Sequence, residues 1–150
     1  MLRRSLIFGL VFLGACSSVE KKVDQTASKP RAHDEYKLPN GLSVLLVDDQ
    51  KLPSISMMMM LRSGSVSDPE GQWGVTQLMA GLLEKGTTSK SANRIAERLA
   101  DLASGFSVDV NPEYTLFSAS SLSSYQRELL DIFSEIILEP SFPVQELSKQ

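Results

Sequence analysis

The chain has 150 residues, with 15 Lys and Arg against 18 Asp and Glu, one His and one Cys. A net charge of −3 excludes the basic balance of a typical nucleic-acid binder, so no nucleic-acid partner is expected. One His and one Cys cannot build a Cys₄, Cys₂His₂ or His₃ zinc centre, and a single Cys excludes an internal disulfide.

Residues 1–15 read as an export signal. Arg3 and Arg4 give a positive start, and the apolar run from Leu6 to Leu13 is too short for a stable membrane span. The run closes on Leu13-Gly14-Ala15-Cys16, which resembles a bacterial lipobox. That resemblance implies cleavage before Cys16 and diacylation (palmitate-type chains) of its thiol. The same letters also fit a plain secretory signal whose Cys falls there by chance. Cleavage would remove two arginines and no acid, taking the net charge from −3 to −5. Each buried CH₂ of a lipid chain contributes about 0.8 kcal/mol to holding the protein on a membrane. Ser17 after the Cys resembles the outer-membrane sorting signal of Gram-negative lipoproteins, so the expected location is the outer membrane, facing the periplasm. Residues 16–34 are polar, carry Lys21, Lys22, Lys29 and Arg31, and lack apolar periodicity, which predicts a flexible tether. His33 at its end reads as a solvated residue rather than a ligand.

A folded region is expected over 35–150. Pro39-Asn40-Gly41 marks a turn between Tyr36-Lys37-Leu38 and a strand over 42–47 whose two faces are both largely apolar, as in a strand covered on both sides. A second strand runs from Ile55 to Leu61 through Met57-Met58-Met59-Met60, methionines that read as buried packing on both faces. Val75, Leu78, Met79 and Leu82 have helical spacing within 74–84, and Lys85-Gly86-Thr87 ends that helix. Ala92, Ile95, Ala96, Leu99 and Leu102 make the stripe of a second helix over 91–103, with Gly105 as its stop. Phe106, Val108 and Val110 alternate in a strand, Asn111-Pro112-Glu113 turns the chain, and 114–121 returns as the other arm of a hairpin. A third helix over 124–138 buries Tyr125, Leu129, Phe133, Ile136 and Ile137, with Ser123 and Gln126 spaced for a capping box. Pro143 suits the first turn of one more helix, which the chain barely begins. The order ββααββα predicts an α+β fold: a mostly antiparallel sheet with helices packed on it.

Leu38-Pro39-Asn40-Gly41-Leu42, Arg62-Ser63-Gly64-Ser65, Gly74-Val75, Lys85-Gly86-Thr87 and Glu113-Tyr114-Thr115 follow one another in the order and spacing of the M16 (insulinase, or pitrilysin-like) metallopeptidases. The resemblance covers about 35–150. It implies part of the N-terminal metallohydrolase domain of a family whose active members are longer chains that close around a peptide. Those members carry H-x-x-E-H on a helix. Residues at i and i+4 share a helix face, so two imidazoles reach one zinc, and the Glu between them polarises the bound water.

Anchored on Gly74 and Lys85-Gly86-Thr87, that motif falls on Gln77-Leu78-Met79-Ala80-Gly81. Gln77 and Gly81 stand in place of the two His and Ala80 in place of the base. No metal and no catalytic residue are therefore expected here, although active relatives use zinc, and the family's third ligand would fall beyond Gln150. Glu84, two turns after Gln77, reads as a solvated acid at the helix end. In active relatives the strand after the second helix presents an Asn-Ala pair to substrate, and Ser107-Val108 takes that place. A strand edge still pairs with an extended peptide through its backbone.

The resemblance points to a non-catalytic M16-like lipoprotein that binds peptide or assembles with an active M16 peptidase subunit. The runner-up reading is the silent half of a longer zinc metalloendopeptidase whose active motif lies outside this chain. A third reading is a truncated product with no stable fold, its apolar faces uncovered.

Overall fold

The computed structural model describes residues 32–149. The export signal, Cys16 and the tether up to Arg31 lie outside the described residues. The chain divides into two units, one ending at Asp48 and the other beginning at Asp49.

In the first unit β1 (Asp34–Lys37) and β2 (Ser43–Leu46) form an antiparallel hairpin, with Asp34 opposite Leu46 and Lys37 opposite Ser43. The Leu42 N–H donates to Asn40 Oδ1, and Gly41 sits at φ 89°, a left-handed turn position that favours glycine. Strand β1 was not expected as a separate element, and it begins at the last residue assigned to the tether. The expectation of a strand buried on both faces fails. Leu42, Leu45, Leu46 and Val47 are exposed, because a two-stranded ribbon by itself covers neither face.

The second unit holds β3 (Ser54–Leu61), β4 (Gly105–Val110) and β5 (Thr115–Leu122) in the antiparallel order β3-β5-β4. Met57 and Phe106 both lie opposite Ala119, so Met57, Met59, Phe117, Phe106 and Val108 share the inner face. The methionine run is split by this pleat. Met57 and Met59 pack on the core, but Met58 and Met60 are exposed, against the expectation that all four are buried.

Helices α1 (Val75–Leu82), α2 (Ala92–Asp101) and α3 (Gln126–Leu138) follow, with the short α4 (Val144–Leu147) last. Leu129 and Ile136 of α3 are fully buried, Ile132 joins them, and Ile95 and Leu99 come from α2. Tyr125 and Ala96, expected inside, are exposed. The Ser123–Gln126 capping box does not form. Ser123 opens a 3₁₀ turn (Ser123–Tyr125), and its N–H donates instead to the Pro53 carbonyl at 3.0 Å.

Helix α2 stops by backbone geometry rather than at Gly105, which begins β4. The Ser104 N–H donates to the Leu99 carbonyl and the Ala103 N–H to the Ala100 carbonyl, a Schellman pair, with Ala103 at φ 47° where glycine is usual. Left-handed backbone costs an L-residue about 1 kcal/mol. Ala103 is exposed, so Ala103→Gly is expected to raise stability by about that amount. An unchanged urea midpoint for this variant would contradict the assignment.

Three of the short sequence signals prove to be docking points. The Ser65 and Val66 N–H groups donate to the carbonyls of Asn111 and Pro112 at 3.1 and 3.0 Å, so the β4–β5 turn lies directly on Gly64. Thr115, fully buried, donates its hydroxyl to the Ser63 carbonyl at 2.8 Å. Glu135 of α3 accepts from the hydroxyls of Thr87 and Ser89, both at 2.6 Å, and from Lys90 Nζ. The segment after α1 is thereby pinned to α3.

Candidate functional site

Helix α1 begins at Gly74, which has φ 93° and no side chain to cap the helix. Asp68, buried six residues upstream, supplies the cap. Its Oδ2 accepts from the Gly74 N–H at 2.6 Å, and its Oδ1 accepts from the Thr76 N–H at 3.1 Å and from the Thr76 hydroxyl. The Thr76 hydroxyl, with help from the backbone N–H groups of Gly74, Thr76 and Val75, holds the Asp68 carboxyl below its usual value against the opposing effect of burial. The cap fixes the rotation of α1, and so which residues face β4.

That face carries Gln77, Ala80, Gly81 and Glu84, spaced i, i+3, i+4 and i+7. Together with Phe106, Ser107 and Val108 of β4 they line one pocket of about 170 Å³. The structure thus brings together the five positions aligned with the family's zinc motif and substrate strand: Gln77, Ala80 and Gly81 on the helix, Ser107 and Val108 on the strand. Gln77 and Gly81 are exposed and Ala80 is buried. Ser107 Oγ is 2.8 Å from Ser118 Oγ on the neighbouring strand. Phe106 packs edge-on against Phe133, with ring centroids 5.7 Å apart, which ties the pocket wall to the core.

Glu84 corrects the sequence reading. It is half-buried rather than solvated, and burial raises its carboxyl above the usual value, with the charge of neighbouring Lys85 pulling the other way. No hydrogen bond among the described residues reaches its carboxylate. Its seven-residue offset from Gln77 was the signal that placed it on this face. What the sequence did not reveal was the 3₁₀ turn Leu83–Lys85, which continues the helix and keeps Glu84 beside β4.

A family model described as insulinase (peptidase family M16) matches residues 43–150. Among curated proteins, an uncharacterized zinc protease of Rickettsia felis is 28% identical over 114 residues, covering 76% of this chain and 28% of that protein. The uncharacterized zinc protease YmxG of Bacillus subtilis is 24% identical over 115 residues, covering 77% and 28% respectively. A mitochondrial-processing peptidase subunit alpha of Solanum tuberosum is 21% identical over 113 residues, covering 75% of this chain and 22% of that protein. The crystal structure of a peptidase M16 inactive domain from Pseudomonas fluorescens superposes with a TM-score of 0.74 at 25% identity, over 79% of this chain and 29% of that one. The chain therefore spans less than a third of the length of these relatives.

Zinc, named for two of these relatives, needs three or four nitrogen, sulfur or carboxylate ligands. The pocket offers one carboxylate, one amide and one hydroxyl, with no imidazole or thiolate. Among the described residues no group of three or more His, Cys, Asp or Glu is placed to hold a metal ion. The donor set of this pocket does not fit zinc.

Proposed function

The chain belongs to the insulinase-like M16 peptidase family, and on that premise we propose that it is a non-catalytic, lipid-anchored member that holds an extended peptide beside an active peptidase subunit. The observation that carries this reading is the meeting of Gln77, Ala80 and Gly81 with Ser107 and Val108 around one pocket. On the motif alignment these are the positions of the two zinc-binding His, the general base and the substrate-facing strand pair. An amide, a methyl and a hydrogen supply neither a zinc site nor a base. Strand β4 stands at the end of the order β3-β5-β4, so among the described residues one of its edges is free for backbone pairing with a peptide.

A paired arrangement is supported by the mitochondrial-processing peptidase relatives, which are named as alpha and beta subunits. Anchoring rests on Cys16 and the signal before it, and an outer-membrane, periplasm-facing position rests on Ser17. Expressed in a Gram-negative host, the full chain is expected in the membrane fraction and the Cys16→Ala variant in the soluble fraction. Membrane retention of that variant would remove the anchor from the account. Incubated with an extended peptide, the full chain is expected to bind it, leave it uncut and be indifferent to a chelator. Chelator-sensitive cleavage would overturn the non-catalytic role.

A second reading has its own support. The chain covers 28% of relatives named as zinc proteases, so a longer protein would have room for an active motif elsewhere, with this region as its silent half. Coding sequence running in frame past codon 150 into an H-x-x-E-H motif would favour it.

A further inference from the structure

The pocket between α1 and β4 holds one feature that peptide-backbone pairing does not use, the carboxylate of Glu84. It is half-buried, lines the pocket with Gln77 at i and Gly81 at i+4, and accepts no hydrogen bond among the described residues. Half-buried carboxylates are stabilised by a cationic partner, and none of the six other lining residues carries a charge. We infer that this pocket is a subsite for one basic side chain, lysine or arginine, of a peptide lying along β4. The inference rests on the peptide-binding reading of the same pocket and names what that peptide carries.

The shape and lining agree with such a guest. At about 170 Å³ the pocket resembles in size a cavity of ~150 Å³ that takes a benzene-sized group, so it admits one side chain rather than a folded element. Phe106, Val108 and Ala80 offer apolar walls for a methylene stem. Gly81 projects nothing into the space. Gln77 Oε1 and Ser107 Oγ are acceptors for the N–H groups that Glu84 leaves unfilled. The chain's net charge of −3 also favours a basic partner over an acidic one.

Burial also explains why this acid waits for a cation. Desolvation raises its carboxyl, and Lys85 only partly offsets that. An ammonium or guanidinium group seated against it would restore the charged form and form a charge-assisted hydrogen bond.

The test uses the full chain and two fluorescent extended peptides that differ only at the central residue, lysine in one and uncharged norleucine in the other. Wild type is expected to bind the lysine peptide about tenfold more tightly. Glu84→Gln should bind both peptides equally, having lost the preference for lysine. Gln77→Lys, which places a tethered ammonium in the pocket, should also lose the preference. Circular dichroism checks that both variants fold. Equal binding of the two peptides by wild type would overturn the subsite and leave peptide binding standing. A lysine preference that survives in both variants would overturn the role of Glu84. Failure to bind either peptide would overturn the subsite and the peptide-binding role together.

Discussion

Gly64→Ala is expected to lower stability by about 3 kcal/mol or more, over half of the ~5 kcal/mol that holds a marginal domain folded. A Cβ built on Gly64 would lie 2.0 Å from the Asn111 carbonyl oxygen and 2.7 Å from that of Pro112. Both are backbone atoms, so no side chain can rotate away. To admit the methyl the β4–β5 turn must retreat. Retreat lengthens the bonds from the Ser65 and Val66 N–H groups and disturbs the Thr115–Ser63 contact. Each lost hydrogen bond costs about 1 kcal/mol, and overpacking adds about 1–3 kcal/mol. Gly64 itself has φ −141°, which any residue adopts, so the effect is steric alone. Without the clash, Gly→Ala would be stabilising by about 0.4–1 kcal/mol through the unfolded chain. Urea denaturation measures the difference directly, and a loss below about 1 kcal/mol would show that the turn yields freely.

The second large effect belongs to Glu135. Burial alone would raise its carboxyl, but the hydrogen bonds from Lys90, Ser89 and Thr87 and the charge of Lys90 override it and hold the group at about 2, against an ordinary 4.5. A depressed folded-state value means the stabilisation is complete above about 4.5 and drains away as the pH falls toward about 2. The Glu135 side chain is 18% exposed and that of Lys90 34%, so solvent screening trims the linkage energy to about 2 kcal/mol. Glu135→Gln should therefore lower the melting temperature near neutral pH by roughly 6–10 °C. Below about pH 3 the gap between variant and wild type should narrow, since the wild-type carboxylate is then being protonated. A gap that stays constant down to pH 2 would assign the loss to packing rather than charge.

The sequence carried the local elements well because their signals are local. Asn40-Gly41 specifies its turn, the alternation Phe106, Val108, Val110 specifies β4, and the spacing of Ile95, Leu99 and Leu102 specifies the buried side of α2. Features that depend on distant partners were not legible in the same way. Gly64 and Thr115 are ordinary letters until the Asn111–Pro112 turn is laid against Ser63 and Gly64. Thr87 looked like a helix end, yet its hydroxyl bonds a carboxylate 48 positions away. Asp68 carries no local signal of its role, which depends on Gly74 having no side chain with which to cap α1.

The site shows the same division. Periodicity placed Gln77, Ala80 and Gly81 on one helix face, and the resemblance brought Ser107 and Val108 to the same edge. Helical spacing gave the side on which Glu84 lies but not its burial, which comes from β4 packing beside the turn that follows α1. The methionine run erred for a related reason. The alternation to both sheet faces was legible, but only one of those faces has helices behind it, so Met58 and Met60 stay exposed.

The α1 face lies beside β4 and offers no set of atoms able to hold zinc. Zinc content of the purified full chain tests this most directly, measured by mass spectrometry after loading with zinc and exhaustive dialysis. Far less than one zinc per chain is expected, unchanged in Glu84→Gln. One tightly held zinc per chain, lost on Gln77→Ala or Glu84→Gln, would contradict it.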